Sequence, residues 1–118
     1  NSVVSAINLL KKIKIYKKRI LVIGDMLELG SESEQLHRKL ADPIYKSKLD
    51  EVLLVGKYCS KLAEELDTMK SKHKYFRTRN QLKNYLQNIE IENSSFLFKG
   101  SRGSKMEEFL NIIQNRNN

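Results

Sequence analysis

Two hydrophobic rhythms take turns along this chain, one of period near 3.6 and one of unbroken apolar runs. From residue 2 to about 14, Val3, Ile7 and Leu10 recur on one face with Val4 and Ala6 beside it, the spacing of an amphipathic helix. No capping residue precedes it, so the sequence reads as starting within an element. Residues 20–23 are a continuous apolar run closed by Gly24, the pattern of a strand buried on both faces. Ser31 and Glu34 then have the spacing of a capping box for a helix carrying Leu36, Leu40 and Ile44 on one side. Pro43 interrupts that helix and predicts a kink or a restart, with Asp42 as the cap of the new turn.

The cycle repeats. Residues 52–55 form a second run ending at Gly56, and Leu62, Ala63, Leu66 and Met69 mark the inward face of the next helix. Residues 74–76 predict a short strand, and Thr78 with Gln81 a second capping box, before the stripe Leu82, Tyr85, Leu86 and Ile89. Residues 96–98 predict the last strand. Ser104 and Glu107 then predict the cap of a helix with Met106, Phe109, Leu110 and Ile113 inward. A helix followed by four strand and helix units predicts an α/β fold: a Rossmann-like, three-layer domain with a mostly parallel sheet and helices on both faces.

That architecture fixes where ligands bind, because the loops after residues 23, 55, 76 and 98 all leave one edge of the sheet. Asp25, Lys57 and residues 99–102 can therefore converge although distant in sequence. Lys99, Ser101 and Arg102 offer a point charge, a hydroxyl and a planar fork of donors around Gly100, just ahead of a helix amino terminus. Phosphate or carboxylate is the guest this chemistry suits. The plainer alternative has Lys99 finishing an edge strand and Arg102 paired with a surface acid. Asp25 and Glu28 bracket Met26 and Leu27; they could meet a ribose hydroxyl, an ammonium or a metal-bound water, or cap a helix and pair with Arg102 or Lys57. Asp25, directly after the strand glycine, is the stronger candidate of the two.

Composition narrows the field. The chain has 118 residues, 40% hydrophobic and 31% charged, which suits one soluble globular domain with a single core. No apolar stretch approaches the roughly 20 residues that span a bilayer, and no leader pattern opens the chain, so a cytosolic protein or a piece of a longer one is expected. The net charge of +8 raises the possibility of nucleic acid, yet the basic residues are spread over most segments without interleaved aromatics, as in lysine-rich solvated faces. Neither a dinucleotide fingerprint nor a triphosphate-binding loop is present. His37 reads as a hydrogen-bonded structural residue with no ligand partner at metal spacing, His73 as solvated, and Cys59 as a buried small hydrophobe. No metal site is expected from this chain alone.

The segments Gly24-Asp25-Met26-Leu27-Glu28-Leu29-Gly30 with Leu36-His37 after them, residues 50–56, and Lys99-Gly100-Ser101-Arg102-Gly103 resemble the carboxyl-terminal domain of the Mur ligase family. The resemblance covers essentially the whole chain in order and is to the branch that joins D-alanyl-D-alanine to UDP-N-acetylmuramoyl-tripeptide in cytoplasmic peptidoglycan precursor synthesis. Asn1-Ser2-Val3 matches only the end of the motif that opens this domain in the family, and Pro43 departs from its usual uninterrupted helix. The resemblance implies a three-domain bacterial enzyme in which ATP phosphorylates the tripeptide carboxylate and the dipeptide amine then displaces phosphate. An amino-terminal UDP-sugar domain and a central ATPase domain, which holds most of the ATP and Mg2+ contacts, would lie outside this chain. It further implies that this domain closes over the central one and brings Asp25, Lys99, Gly100, Ser101 and Arg102 to the ATP and dipeptide, with Met26, Leu27 and Glu28 nearby. On that reading the chain alone is inactive, binds no nucleic acid and inserts in no membrane. The competing expectation is a free-standing basic α/β module that holds nucleic acid or another polyanion.

Overall fold

The computed structural model describes residues 2–12, 18–26 and 30–116. Among these residues four strands, β1 (Lys18–Ile23), β2 (Glu51–Val55), β3 (Lys74–Phe76) and β4 (Ser94–Lys99), form one sheet in the order β3-β2-β1-β4. Every pairing is parallel. Among the described residues six helices flank it: α1 (Ser2–Lys12), α2 (Ser33–Lys39), α3 (Ala41–Ser47), α4 (Cys59–Thr68), α5 (Arg79–Asn88) and α6 (Glu107–Arg116). Short 3₁₀ turns, Gly30–Glu32 and Arg102–Ser104, precede α2 and α6.

The apolar runs of β1 and β2 are continuous because both strands are central and covered on both sides. Successive side chains point to opposite faces, so Leu21, Ile23, Val52 and Leu54 join Val3, Ile7, Ile44, Leu62 and Leu66 in one core. Ile20, Val22, Leu53 and Val55 join Leu82, Leu86, Phe109 and Ile113 in the other. The expected three-layer α/β architecture is what the chain forms. No helix among the described residues is long and apolar enough to cross a membrane.

Several local expectations are corrected. Ser31 caps nothing: it lies in a 3₁₀ turn, and α2 begins at Ser33 behind Glu32, which makes no side-chain cap bond. The restart around Pro43 occurs at Leu40 rather than Asp42, placing Pro43 third in α3, where the missing N–H has no helical partner to lose. Ser104 belongs to the turn before α6 and is not its cap, and Leu110 is 37% exposed rather than inward. His73 is not solvated; its Nε2 lies 3.1 Å from Asp67 Oδ1, with the side chain only 10% exposed. The Thr78 and Gln81 capping box forms as expected, each side chain accepting from the other's end of the turn.

At the opening edge of the sheet sits a buried polar group. Glu51 accepts the Tyr85 hydroxyl at 2.5 Å and pairs with Lys18 Nζ at 2.9 Å. Burial alone would raise the Glu51 carboxyl, but these two partners outweigh it and hold it below its ordinary value. Burial and the adjacent carboxylate push the Tyr85 hydroxyl up.

Candidate functional site: the carboxyl edge of the sheet

The loops after the strands meet around Asp25. Its carboxylate turns inward, and Oδ1 accepts the backbone N–H groups of Tyr58 (3.0 Å) and Cys59 (2.9 Å) at the start of α4. A carboxylate on the free amides of a helix amino terminus satisfies orphan donors and meets the positive end of the helix dipole. Its main-chain carbonyl looks the other way, accepting Ser101 N–H at 2.9 Å and the Ser104 hydroxyl at 2.6 Å. One residue thus joins the loops after β1, β2 and β4. Oδ1 is thus occupied by two backbone amides, and among the described residues Asp25 makes no ion pair with Arg102 or Lys57.

Gly56 is the counterpart of this arrangement. Its φ of 118° belongs to glycine, and a Cβ there would sit 2.4 Å from Asp25 Oδ1. At Gly100 the reason is close packing: a Cβ would come within 2.8 Å of Met106 Cγ, so the bare backbone lets the 99–104 loop fold over Met106.

His37 holds the loop after β1 from behind. Its ring is fully buried, and Nδ1 lies 2.5 Å from the carbonyl of Ser33, which can only accept, so Nδ1 carries the hydrogen. Nε2 then accepts Met26 N–H at 2.9 Å, and the ring stacks on Tyr58. Sequence spacing gave no hint that His37 would meet other ligand-type residues, yet folding brings it beside Asp25 and Cys59, with possible ligand atoms within 4.8 Å of one another. Those atoms already serve the fold: Nε2 and Oδ1 accept amides, and the Cys59 thiol faces the Ile23 carbonyl at 3.7 Å. Burial, reinforced by Asp25, pushes the Cys59 thiol well up, which makes it neither a ready metal ligand nor a nucleophile.

The cations behave differently. Lys18, Arg19, Arg38, Lys46, Lys61, Arg79 and Lys83 pair with carboxylates, whereas Lys39, Lys48, Lys72 and Arg116, away from this edge, have no carboxylate partner among the described residues. At this edge, among the described residues, Lys57, Lys99 and Arg102 have no carboxylate partner, and Arg102 is exposed. Lys99 ends β4 opposite Ile23, its carbonyl accepting Gly24 N–H at 2.8 Å. Ser101 Oγ lies 3.4 Å from Ser104 Oγ. Gly24, Asp25, Val55, Gly56, Arg79, Gly103 and Ser104 line a crevice of about 160 Å³. Met26 is half-buried beside it, whereas Leu27 and Glu28 lie outside the described residues. An open crevice at the carboxyl edge of a parallel sheet, flanked by uncompensated cations, suits an anionic ligand.

With this geometry established, the chain compares closely with known proteins. The family model described as "Mur ligase, glutamate ligase domain" matches residues 1–102. The chain belongs to this family. A similar Mur ligase, the UDP-N-acetylmuramoyl-tripeptide--D-alanyl-D-alanine ligase of Buchnera aphidicola subsp. Acyrthosiphon pisum, is 32% identical over 93% of the chain and 23% of its own length. Among solved Mur ligases, the MurF of Acinetobacter baumannii superposes with a TM-score of 0.83 at 30% identity, over 97% of this chain and 25% of that one. The MurF of Thermotoga maritima, solved in complex with ADP, shares the fold with a TM-score of 0.62 at 23% identity, over 93% of this chain and 24% of that one. The chain therefore spans about a quarter of the length of the Mur ligases it matches. The family resemblance read from the sequence holds, and the free-standing polyanion module finds no support among these relatives.

Proposed function

We propose that this chain is the carboxyl-terminal domain of an ATP-dependent ligase that joins D-alanyl-D-alanine to UDP-N-acetylmuramoyl-tripeptide in the bacterial cytoplasm, with the UDP-sugar and ATPase domains elsewhere in the enzyme. The observation that carries this is the set of uncompensated cations, Lys99 and Arg102 foremost, at the carboxyl edge of a sheet whose relatives carry that activity in their names.

ATP, when bound, supplies the phosphoryl group that activates the tripeptide carboxylate. The donors at this edge fit such a guest: Lys99 and Arg102 neutralise phosphate or carboxylate charge, and the Ser101 hydroxyl supplies a hydrogen bond. Asp25 contributes by tying together the loops that form the wall, rather than by touching the dipeptide through Oδ1. Mg2+ prefers oxygen donors in an octahedron, which the buried Asp25, His37 and Cys59 group does not offer; on this proposal the metal ligands come from the central domain. Closure of this domain over the central one excludes water from a hydrolysable activated carboxyl and positions a weak amine nucleophile.

The test is steady-state kinetics of the full-length ligase carrying this domain. Lys99→Ala and Arg102→Ala are each expected to lower kcat/KM at least tenfold while the melting temperature stays near that of the parent enzyme. Normal rates and Michaelis constants in both variants would overturn the assignment of these residues.

A further inference from the structure

Arg79 lines the crevice, and its two terminal nitrogens are engaged by Ser104 and Lys105 of the turn and by Glu108 at the start of α6. It opens α5, where a positive charge at a helix amino terminus opposes the dipole, so local helix energetics do not explain an arginine there. Its tertiary contacts do. Nη1 donates to the Ser104 carbonyl at 2.5 Å, and Nη2 donates to the Lys105 carbonyl and to Glu108 Oε1, both at 3.0 Å. The guanidinium carbon lies over the Phe109 ring, 4.4 Å from its centroid. Ser104, held from behind in this way, gives its hydroxyl to the Asp25 carbonyl, the same oxygen that accepts Ser101 N–H. Lys105 follows with a left-handed φ of 48°, a turn that a non-glycine residue keeps only when its surroundings hold it.

We infer that Arg79 is a positioning residue of the anion-binding loop: through the Ser104 and Lys105 carbonyls it fixes the turn that presents Ser101 and Arg102 at the mouth of the crevice. A planar fork reaches two carbonyls and a carboxylate at once, which a lysine ammonium at the end of a flexible stem does not. The geometry stands on the structure alone; its service to catalysis rests on the function proposed above.

Two measurements separate these layers. In the 118-residue chain, whose two cores are formed entirely by its own side chains, amide hydrogen exchange at Ser101 is compared among the parent, Arg79→Lys, Arg79→Gln and Lys83→Gln. Lys83 is the second cation on Glu108, at 2.9 Å, and makes no bond to the loop carbonyls, so its loss controls for the ion pair. Exchange at Ser101 is expected to quicken at least tenfold in both Arg79 variants and to stay within twofold in Lys83→Gln. Unchanged exchange in Arg79→Gln would overturn the inference whatever the kinetics show. In the full-length ligase, both Arg79 variants are expected to lose at least tenfold in kcat/KM for D-alanyl-D-alanine, with the KM for UDP-N-acetylmuramoyl-tripeptide within twofold. An active parent enzyme whose Arg79 variants keep normal kinetics would refute the role in the reaction. A parent enzyme without ligase activity would refute the proposed function, while the exchange data still decide the positioning.

Discussion

At the scale of single residues, the most consequential side chains are those whose partners come from distant loops. Asp25 was visible in the sequence as a carboxylate after a strand glycine, but nothing local says that it caps α4 across the sheet edge, since that contact depends on strand order. Gly56 carries the same information in another form, its φ of 118° clearing space for Oδ1. Tyr85 read only as part of an apolar stripe, because periodicity reports a ring's burial and is silent about where its hydroxyl goes. Its bond to Glu51 gives a pH prediction. A carboxyl held below its ordinary value in the folded chain adds stability above the unfolded pKa, near 4.3, and loses it as pH falls through the folded value. Tyr85→Phe removes a donor to the charged form, so it should cost about 1–2 kcal/mol at pH 7 and flatten the fall in stability between about pH 5 and 3. Urea melts across that range check it; an acid limb as steep as the parent's would show that Tyr85 does not stabilise the Glu51 charge.

Element by element, the sequence was most readable where one motif had one outcome. The parallel strands show as unbroken apolar runs, and Thr78 and Gln81 cap α5 as their spacing foretells. Ser31 and Glu34 have the same spacing and fail, because the chain continues as a 3₁₀ turn that buries Ser33 and brings its carbonyl to His37. Within the first turns of α2, this local i,i+4 contact stands where the cap was expected. Thermal melts of the chain should therefore separate the two motifs: Thr78→Ala costs about 1 kcal/mol, and Ser31→Ala stays within about 0.5 kcal/mol of the parent. Equal losses would mean that Ser31 caps α2 in solution. Ser104 is the third case, a residue with capping spacing whose hydroxyl instead bonds the Asp25 carbonyl.

For the whole molecule, fold class and the ligand-binding edge were legible, because alternating strands and helices leave few topologies and all parallel strands end on one side. The lateral order β3-β2-β1-β4 was not, since buried strands of similar composition carry no label for their neighbours. If the remaining domains of the proposed ligase complete the site, the 118-residue chain, mixed with ATP, UDP-N-acetylmuramoyl-tripeptide and D-alanyl-D-alanine, releases no phosphate above background in a coupled assay. Release at a rate near that of the full-length enzyme would show that the chain holds a complete site. The strand order also sets a timetable. β4 is the last strand made, yet its place is beside β1, the first, with Lys18 opposite Ser94 and Ile23 opposite Lys99. While the chain is being synthesised, β1 and β2 can pair and gather α1, α3 and α4 long before that neighbour exists; the loop-closing step that seats β4 comes at the end. Lys99 and Arg102 reach their positions only then, so a partner that recognises this loop meets it only after β4 has been seated beside β1.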